Sequence, residues 1–410
     1  MDMALLKQLF FDQANILHEN CSISSTDAET CYDAVNHTIS SLCLQAMCVS
    51  MFLIQCYLVC IQTMQYYLQT GFGQADTGYG GTTSHRSMGL VQGSGAAPAT
   101  WTAVSTAIVD TYKRKGYGAS LYTGHNNSSL EIAALLYVDD TDLLHKPALP
   151  QSTEDEIIDY TQRATYYWAK LLQATGGNLK AAKCYWYLLS YKFPKGIATL
   201  KSLHELPRYT LRIPQQEGDD VEIELKDNHT AAQVLGIWSS PKSTDAQQLK
   251  HMIHKGHNWI RRIQKSTLDT QEIWQSFLTQ AIPSVSYGLL TLMSYRQEID
   301  DHFQSWYYQC LPSLGITRSI STVWRTLPIE FQGLGLPNMS LNKLAASLTF
   351  LQHTIQQLEL PSKELTNSAN WKLALATFLR KISADTRSLP RTRGSRCSGN
   401  SLTTTRLRSL

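Results

Sequence analysis

The sequence predicts an α+β protein, with strands and helices mixed in its first half and a mainly helical region after them. Three observations lead there. Strand-length apolar runs alternate with longer stretches of helical period through residues 1–195. Two of the strand-like runs meet carboxylates, "CSISSTDAE" at Asp27 and "LLYVDDTDLL" at Asp139 and Asp140. Residues 244–295 and 340–380 then carry mostly helical periodicity.

Taken in order, residues 3–20 read as an amphipathic helix, and "CSISSTDAE" as a short strand ending in acid. "YDAVNHTISSLCLQAMCV" onward reads as helix, broken or continuing near Ser50. The glycine-rich stretch 71–98 predicts turns and short strands. "ATWTAVSTAIVDTYKRKGYG" recovers the helical period and stops at Gly116 and Gly118. "LLYVDDTDLL" is strand–turn–strand. "STEDEIIDYTQRATYYWAKLLQATGG" has a capping-box start, with Ser152 and Glu156, and a Gly-Gly end. "QQEGDDVEIEL" predicts a hairpin and "AAQVLGIWSS" a strand; residues 383–410 are Ser/Thr/Arg-rich and predict disorder.

With 410 residues, 43% hydrophobic and 17% charged, the composition is globular, with room for two or three structural units. The net charge of +3 is unevenly spread. Residues 380–410 carry +7, which leaves −4 on residues 1–379, so bulk charge alone does not point to nucleic acid. Nine cysteines are scattered with no C-x-x-C pair and no zinc spacing, which predicts free thiols in a reducing, intracellular compartment. No residue between His37 and Asp76 is charged. "LCLQAMCVSMFLIQCYLVCI" has bilayer-spanning length, yet Gln45 and Gln55 interrupt it and no basic cluster flanks it. A buried core helix or helix pair is expected there and no membrane partner, with Cys43, Cys48, Cys56 and Cys60 as small core hydrophobes.

The adjacent acids Asp139 and Asp140 repel one another, so they either mark a solvated turn or hold a cation. Four pieces stand in order along the chain: "DAETCYD" (27–33), "GLVQGSGAAP" (89–98), "YVDD" (137–140) and "GGNLKAAKC" (176–184), the last containing Lys183. Nucleotidyl transfer by two metal ions needs several carboxylates around ions about 3.5–4 Å apart. Mg²⁺ takes carboxylate oxygens in octahedral geometry. Asp27 lies 112 residues before Asp139, so only tertiary pairing unites them, and the reading requires their carboxylates to lie within about 10 Å of each other.

In this order the four pieces resemble motifs A to D of a reverse-transcriptase palm, most closely of the non-LTR retrotransposon type. "YDAVNH" (32–37) is similar to that group's continuation of motif A, and "VLGIW" (234–238) to its Leu-Gly strand at the primer. The resemblance spans roughly residues 20–300. It implies a palm over 1–195, an antiparallel sheet backed by helices, then a connecting hairpin and primer-grip-like strand over 196–243, a helical thumb over 244–300, a C-terminal helical region over 301–379 and a basic disordered tail over 380–410. It implies an RNA-directed DNA polymerase, with an RNA template, a DNA primer and dNTPs as partners. The cofactor would be two Mg²⁺ ions, or Mn²⁺, on Asp27, Asp139 and Asp140. Tyr32 would lie under the incoming sugar and exclude a ribose 2′-hydroxyl. Gln92 and Gly93 would approach nucleotide and template, and Lys183 would serve the departing pyrophosphate. Asp33 would start the next helix. "HMIHKGHNWIRRIQK" (251–265) would track the duplex phosphates. The family also carries upstream fingers, which the twenty-six residues before Asp27 are too few to hold. A catalytically inactive palm–thumb relic that at most binds nucleic acid therefore stands as the alternative.

Overall fold

A computed structural model describes residues 2–29, 31–82, 87–122, 129–147, 152–216, 218–292, 294 and 296–359. The predicted basic tail, and the helical period beyond residue 359, lie outside these residues.

Helix α1 (Asp2–Leu17) leads into strand β1 (Cys21–Glu29). Helices α2 (His37–Ala46), α3 (Met51–Gln62) and α4 (Ala97–Arg114) follow. Strands β2 (Ala134–Tyr137) and β3 (Asp140–His145) form a hairpin before helix α5 (Glu154–Ala174). Then come β4 (Asn178–Leu179), β5 (Tyr185–Leu189), β6 (Leu211–Ile213) and β7 (Val221–Leu225). The sheet runs β6-β7-β5-β1-β3-β2, with β4 on the end of β1; β5 and β7 are parallel and every other pair is antiparallel.

The mixed α/β architecture with a mainly antiparallel sheet agrees with the expectation, and β1 explains how. "CSISST" is unusually polar for a central strand, yet residues 21–28 are buried. The hydroxyls on its rear face meet hydroxyls on α5: Ser22 Oγ lies 2.5 Å from Thr161 Oγ1, and Ser24 Oγ lies 3.0 Å from Thr165 Oγ1. Two residues along a strand advance about 6.7 Å and four along a helix about 6 Å, so the two pairs match in step. Each buried hydroxyl is thereby satisfied, as burial requires. The apolar face of α5, with Ile157, Ile158, Ala164, Trp168 and Leu172 at helical spacing, packs the rest of this rear core with Leu143, Trp186 and Leu188. Its N-cap is Thr153, one residue later than expected, in a reciprocal capping box with Glu156.

The front face of the sheet carries Ile23, Leu144, Tyr187 and Leu189 under Phe10, Phe11 and Ala14 of α1. Past β7, the expected single strand is a hairpin, β8 (Ala232–Val234) and β9 (Ile237–Ser239), because Leu235 (φ +51) and Gly236 (φ +80) both take left-handed backbone and turn the chain in two residues.

A second core holds α6 (Ala246–Ile263), α7 (Thr270–Ser276), α8 (Ile282–Ser286), α9 (Arg296–Cys310), α10 (Thr322–Thr326) and α11 (Met339–Glu359). On α6, Leu249, Met252, Trp259, Ile260 and Ile263 face inward at helical spacing. Gly256 faces Trp306, where a Cβ would fall 2.4 Å from the indole nitrogen, so only glycine lets α6 and α9 approach.

One expectation is corrected. The uncharged stretch is a helix pair, broken at residues 47–50 with Ser50 capping α3, but it is not a buried core pair. On α3 only Ile54 and Ile61 are buried, and Cys48, Cys56 and Cys60 are exposed while Cys43 is partly covered. Apolar periodicity identifies a helix, but a helix apolar on every face does not reveal which face finds a partner. Among the described residues no helix is long and apolar enough to cross a membrane.

Candidate active site

The sheet brings the distant acids together through its central pairing. Asp27, third from the end of β1, is the direct cross-strand partner of Asp140, the first residue of β3. Cross-strand neighbours on one face hold their Cβ atoms about 4.5–5.5 Å apart. Asp139 sits in the turn just before, and its carbonyl accepts from the amide of Ala28 at 3.1 Å. Lys183 follows the end of α5 in a 3-10 turn (Ala181–Lys183), where its ammonium donates to Asp27 Oδ2 at 2.8 Å.

The turn that carries Asp139 is strained. Tyr137 pairs with Asp140, so Val138 and Asp139 are the two turn residues, and Val138 has φ +57. A β-branched residue is a poor occupant of that region, which normally takes glycine. Trp101 on α4 secures it, its indole N–H donating to Val138 O at 2.8 Å. Strain held by surrounding structure is common at functional sites.

Charge crowding shows in the titration of these groups. The Asp140 carboxyl is pushed above the ordinary carboxylate range by burial, then by Asp139, Asp27 and Asp142, with Lys183 opposing. The ammonium of Lys183 is pushed above the ordinary lysine range by its hydrogen bond to Asp27 and then by that carboxylate's charge. Hard carboxylate oxygens on crowded groups fit Mg²⁺ in kind. The arrangement is not closed, however. Among the described residues no group of three or more His, Cys, Asp or Glu side chains is gathered so as to hold a cation as it stands, and Lys183 already takes one oxygen of Asp27.

Tyr32 lies five residues after Asp27, half-buried, with its ring 6.4 Å edge-on from Trp101. Its carbonyl accepts from Leu90 N at 2.7 Å, which pins the loop before Gln92 and Gly93 against the chain after Asp27. His37 fastens the same junction: a carbonyl can only accept, so Nε2–H donates to Gly89 O at 2.6 Å, while Nδ1 takes a bond from Gln62. At Gly89 (φ +81) a Cβ would fall 2.5 Å from Asp33 O, so glycine is needed for the close approach. Gln92 and Gly93 are exposed in the turn entering α4, and Gly93 (φ +94) has open space around it. Asp33 is exposed; the residue that caps α2 is Asn36, accepting from Thr38 N.

Sequence reasoning missed several neighbours. Buried Cys31 lies among Asp139, Asp33 and Asp27, its thiol pushed up to about 12 by burial and then by those charges. Lys7 of α1 reaches under the acids to Asp142, Ser25 and Tyr185. Lys226 stacks over the Tyr185 ring at 4.0 Å. Asp27, Asp140, Asp142, Lys183, Tyr185 and Lys226 all line one cleft of about 410 Å³, whose far wall is the β8–β9 hairpin. A third acid in "YVDDTD" was the only sequence signal pointing to this floor.

No protein family matches the chain, and no curated protein matches it. Among solved structures, telomerase from Candida albicans in complex with a TWJ fragment of telomeric RNA matches with a TM-score of 0.35 and 11% identity, over 94% of this chain and 51% of that one. Telomerase from Candida tropicalis, with the same kind of fragment, matches with a TM-score of 0.35 and 11% identity, over 95% and 50%. The chain thus spans about half the length of these neighbours. A likeness this loose decides neither fold nor chemistry, and it does not support the non-LTR retrotransposon type.

Proposed function

We propose that this chain is the palm and thumb of a reverse-transcriptase-like RNA-directed DNA polymerase of the retrotransposon kind, working by two-metal nucleotidyl transfer. The observation that carries the reading is the cross-strand pairing of Asp27 with Asp140, with Asp139 in the adjoining turn. Asp27, Asp139 and Asp140 would hold two Mg²⁺ ions, which when bound would neutralise the phosphoryl group and activate the primer hydroxyl. The remaining work falls to the chain itself. Lys183 stays an ammonium at neutral pH and screens charge on the departing pyrophosphate. Tyr32, braced by Trp101, sets the space allowed at the sugar. The exposed Gln92–Gly93 turn offers backbone and amide to nucleotide and template, and the last turn of α6, with Arg261 and Arg262, supports the duplex phosphates.

A second reading, a nucleic-acid-binding relic, is favoured by one observation: Lys183 occupies an oxygen that a metal would need. Primer extension on an RNA template with Mg²⁺ separates the two. Labelled extension product that disappears in Asp140→Asn supports the polymerase. Template–primer binding with no product at high enzyme concentration rejects it and leaves the relic.

A further inference from the structure

We infer that the second core binds a short carboxylic acid, one carboxylate on a compact apolar body, in the cavity between α9, α10 and the start of α11. The inference stands apart from the polymerase reading. The cavity measures about 110 Å³, and Arg325 of α10 lines it while only 4% exposed. The side chain of Arg325 touches uncharged groups. Its Nη2 donates to Thr322 Oγ1 at 2.6 Å, and its guanidinium lies 5.0 Å from the centre of the Tyr308 ring. Its Nε is buried with no hydrogen-bond partner among the described residues. No carboxylate of the described residues comes within ion-pair distance of it. A buried cation without a counter-charge is costly, and an anion in the cavity would relieve it.

The walls select which anion. Asn338 adds a second donor: its Oδ1 already accepts from Ser340 Oγ at 2.6 Å and Leu341 N at 2.9 Å, which leaves its amide N–H groups for a ligand. The side chains of Phe303, Leu336, Pro337 and Met339 complete the lining and give water no hydrogen bond, so an apolar group readily displaces water there. Leu336 N donates to Arg325 O at 2.8 Å, which fixes this wall beside the cation. Asp300 also lines the cavity. Its Oδ2 accepts from Ser340 Oγ at 3.0 Å, and its negative charge opposes a dianion such as phosphate. One guanidinium with an amide donor and apolar walls therefore suits a monoanion with an apolar body. A cavity of about 150 Å³ admits benzene, so this smaller one takes about four carbons beside the carboxylate.

Isovalerate, a branched acid of that size, is the probe. Ligand-observed NMR titration of the full chain should give a dissociation constant of about 1 mM or tighter, ordinary for a ligand of about seven heavy atoms. Isovaleramide, alike in shape but uncharged, should bind at least about tenfold more weakly, and Arg325→Gln should weaken isovalerate by a similar factor. Thr326→Leu fills the cavity and leaves Arg325 in place, so it should abolish binding while the circular dichroism stays unchanged. That variant and the amide decide the matter even if Arg325→Gln fails to fold. N-acetyl-leucine carries a carboxylate and an isobutyl group on a peptide link. Tighter binding than isovalerate identifies a peptide C-terminus as the source of the carboxylate, and weaker binding a free acid. No saturable isovalerate binding below about 20 mM would overturn the proposal. So would equal binding of the amide, undiminished binding in a folded Arg325→Gln or in Thr326→Leu, or displacement of isovalerate by equimolar inorganic phosphate.

Discussion

The ammonium of Lys7 lies 2.7 Å from Asp142 Oδ1, with both side chains 1% exposed, directly beneath the strand that carries Asp140. Ser25 also donates to this carboxylate, and Tyr185 OH lies 3.4 Å from the ammonium. One cation thus ties α1 to β1, β3 and β5. Burial alone would lower the lysine pKa, but the charges of Asp142 and Tyr185 and their hydrogen bonds outweigh it and hold Lys7 above its ordinary 10.5.

Lys7→Met would leave Asp142 buried without a counter-charge, and unfolding free energy should fall by about 3–5 kcal/mol. Lys7→Met with Asp142→Leu should recover most of that loss, because an apolar pair of similar volume replaces a desolvated ion pair. The folded-state lysine pKa is the higher one, so the pair's contribution is complete below pH 10.5 and is lost as pH rises through the folded value. Denaturant titrations of the three proteins at neutral and alkaline pH measure this. Equal stability of the single variant and wild type would remove Lys7 as an anchor.

His145 should set the acid limit. It is fully buried behind the sheet, and burial lowers its pKa to about 3. Nε2 shares a 3.1 Å bond with Ser24 Oγ, and Nδ1 has no partner. The unfolded imidazole takes a proton below about pH 6.5, which the folded one refuses, so stability falls from there toward pH 3 with a slope of about 1.4 kcal/mol per unit. His145→Gln should flatten that slope by one proton's worth in chemical denaturation. An unaltered pH profile would place the acid sensitivity elsewhere.

Asp140 illustrates function held against stability. Its ionised form is disfavoured in the fold by burial and by the neighbouring acids. Asp140→Asn should therefore raise the thermal midpoint in chelator-containing buffer by a few degrees, while lowering primer extension by about a thousandfold or more. A lower midpoint would mean that the carboxylate crowding is not costly.

Tyr32→Ala removes the ring that Trp101 braces. Discrimination against ribonucleotides should drop about tenfold or more, read from single-nucleotide incorporation of dNTP against rNTP, with little change in melting because the side chain is only half-buried. Unchanged discrimination would show that Tyr32 is not the steric gate.

Much of the candidate site could be read from local signals. "YVDD" between apolar runs announces a hairpin, and the Gly-Gly end of α5 precedes the turn that presents Lys183. Local chemistry determines such features, because turns, caps and periodicity act over a few residues. The β8–β9 hairpin was harder to see because Leu235, unlike glycine, gives no warning of positive φ.

The sequence by itself determined that acids would stand at a strand end and at a hairpin turn, and that helices would cover the sheet. Only the tertiary structure decided that Asp27 faces Asp140, that the Ser22 and Ser24 hydroxyls meet Thr161 and Thr165, that Lys7 lies under the site, and that α3 turns an apolar face to solvent. Those outcomes depend on strand order and on which faces meet across 112 residues or more, and a periodic pattern specifies a face without naming its partner.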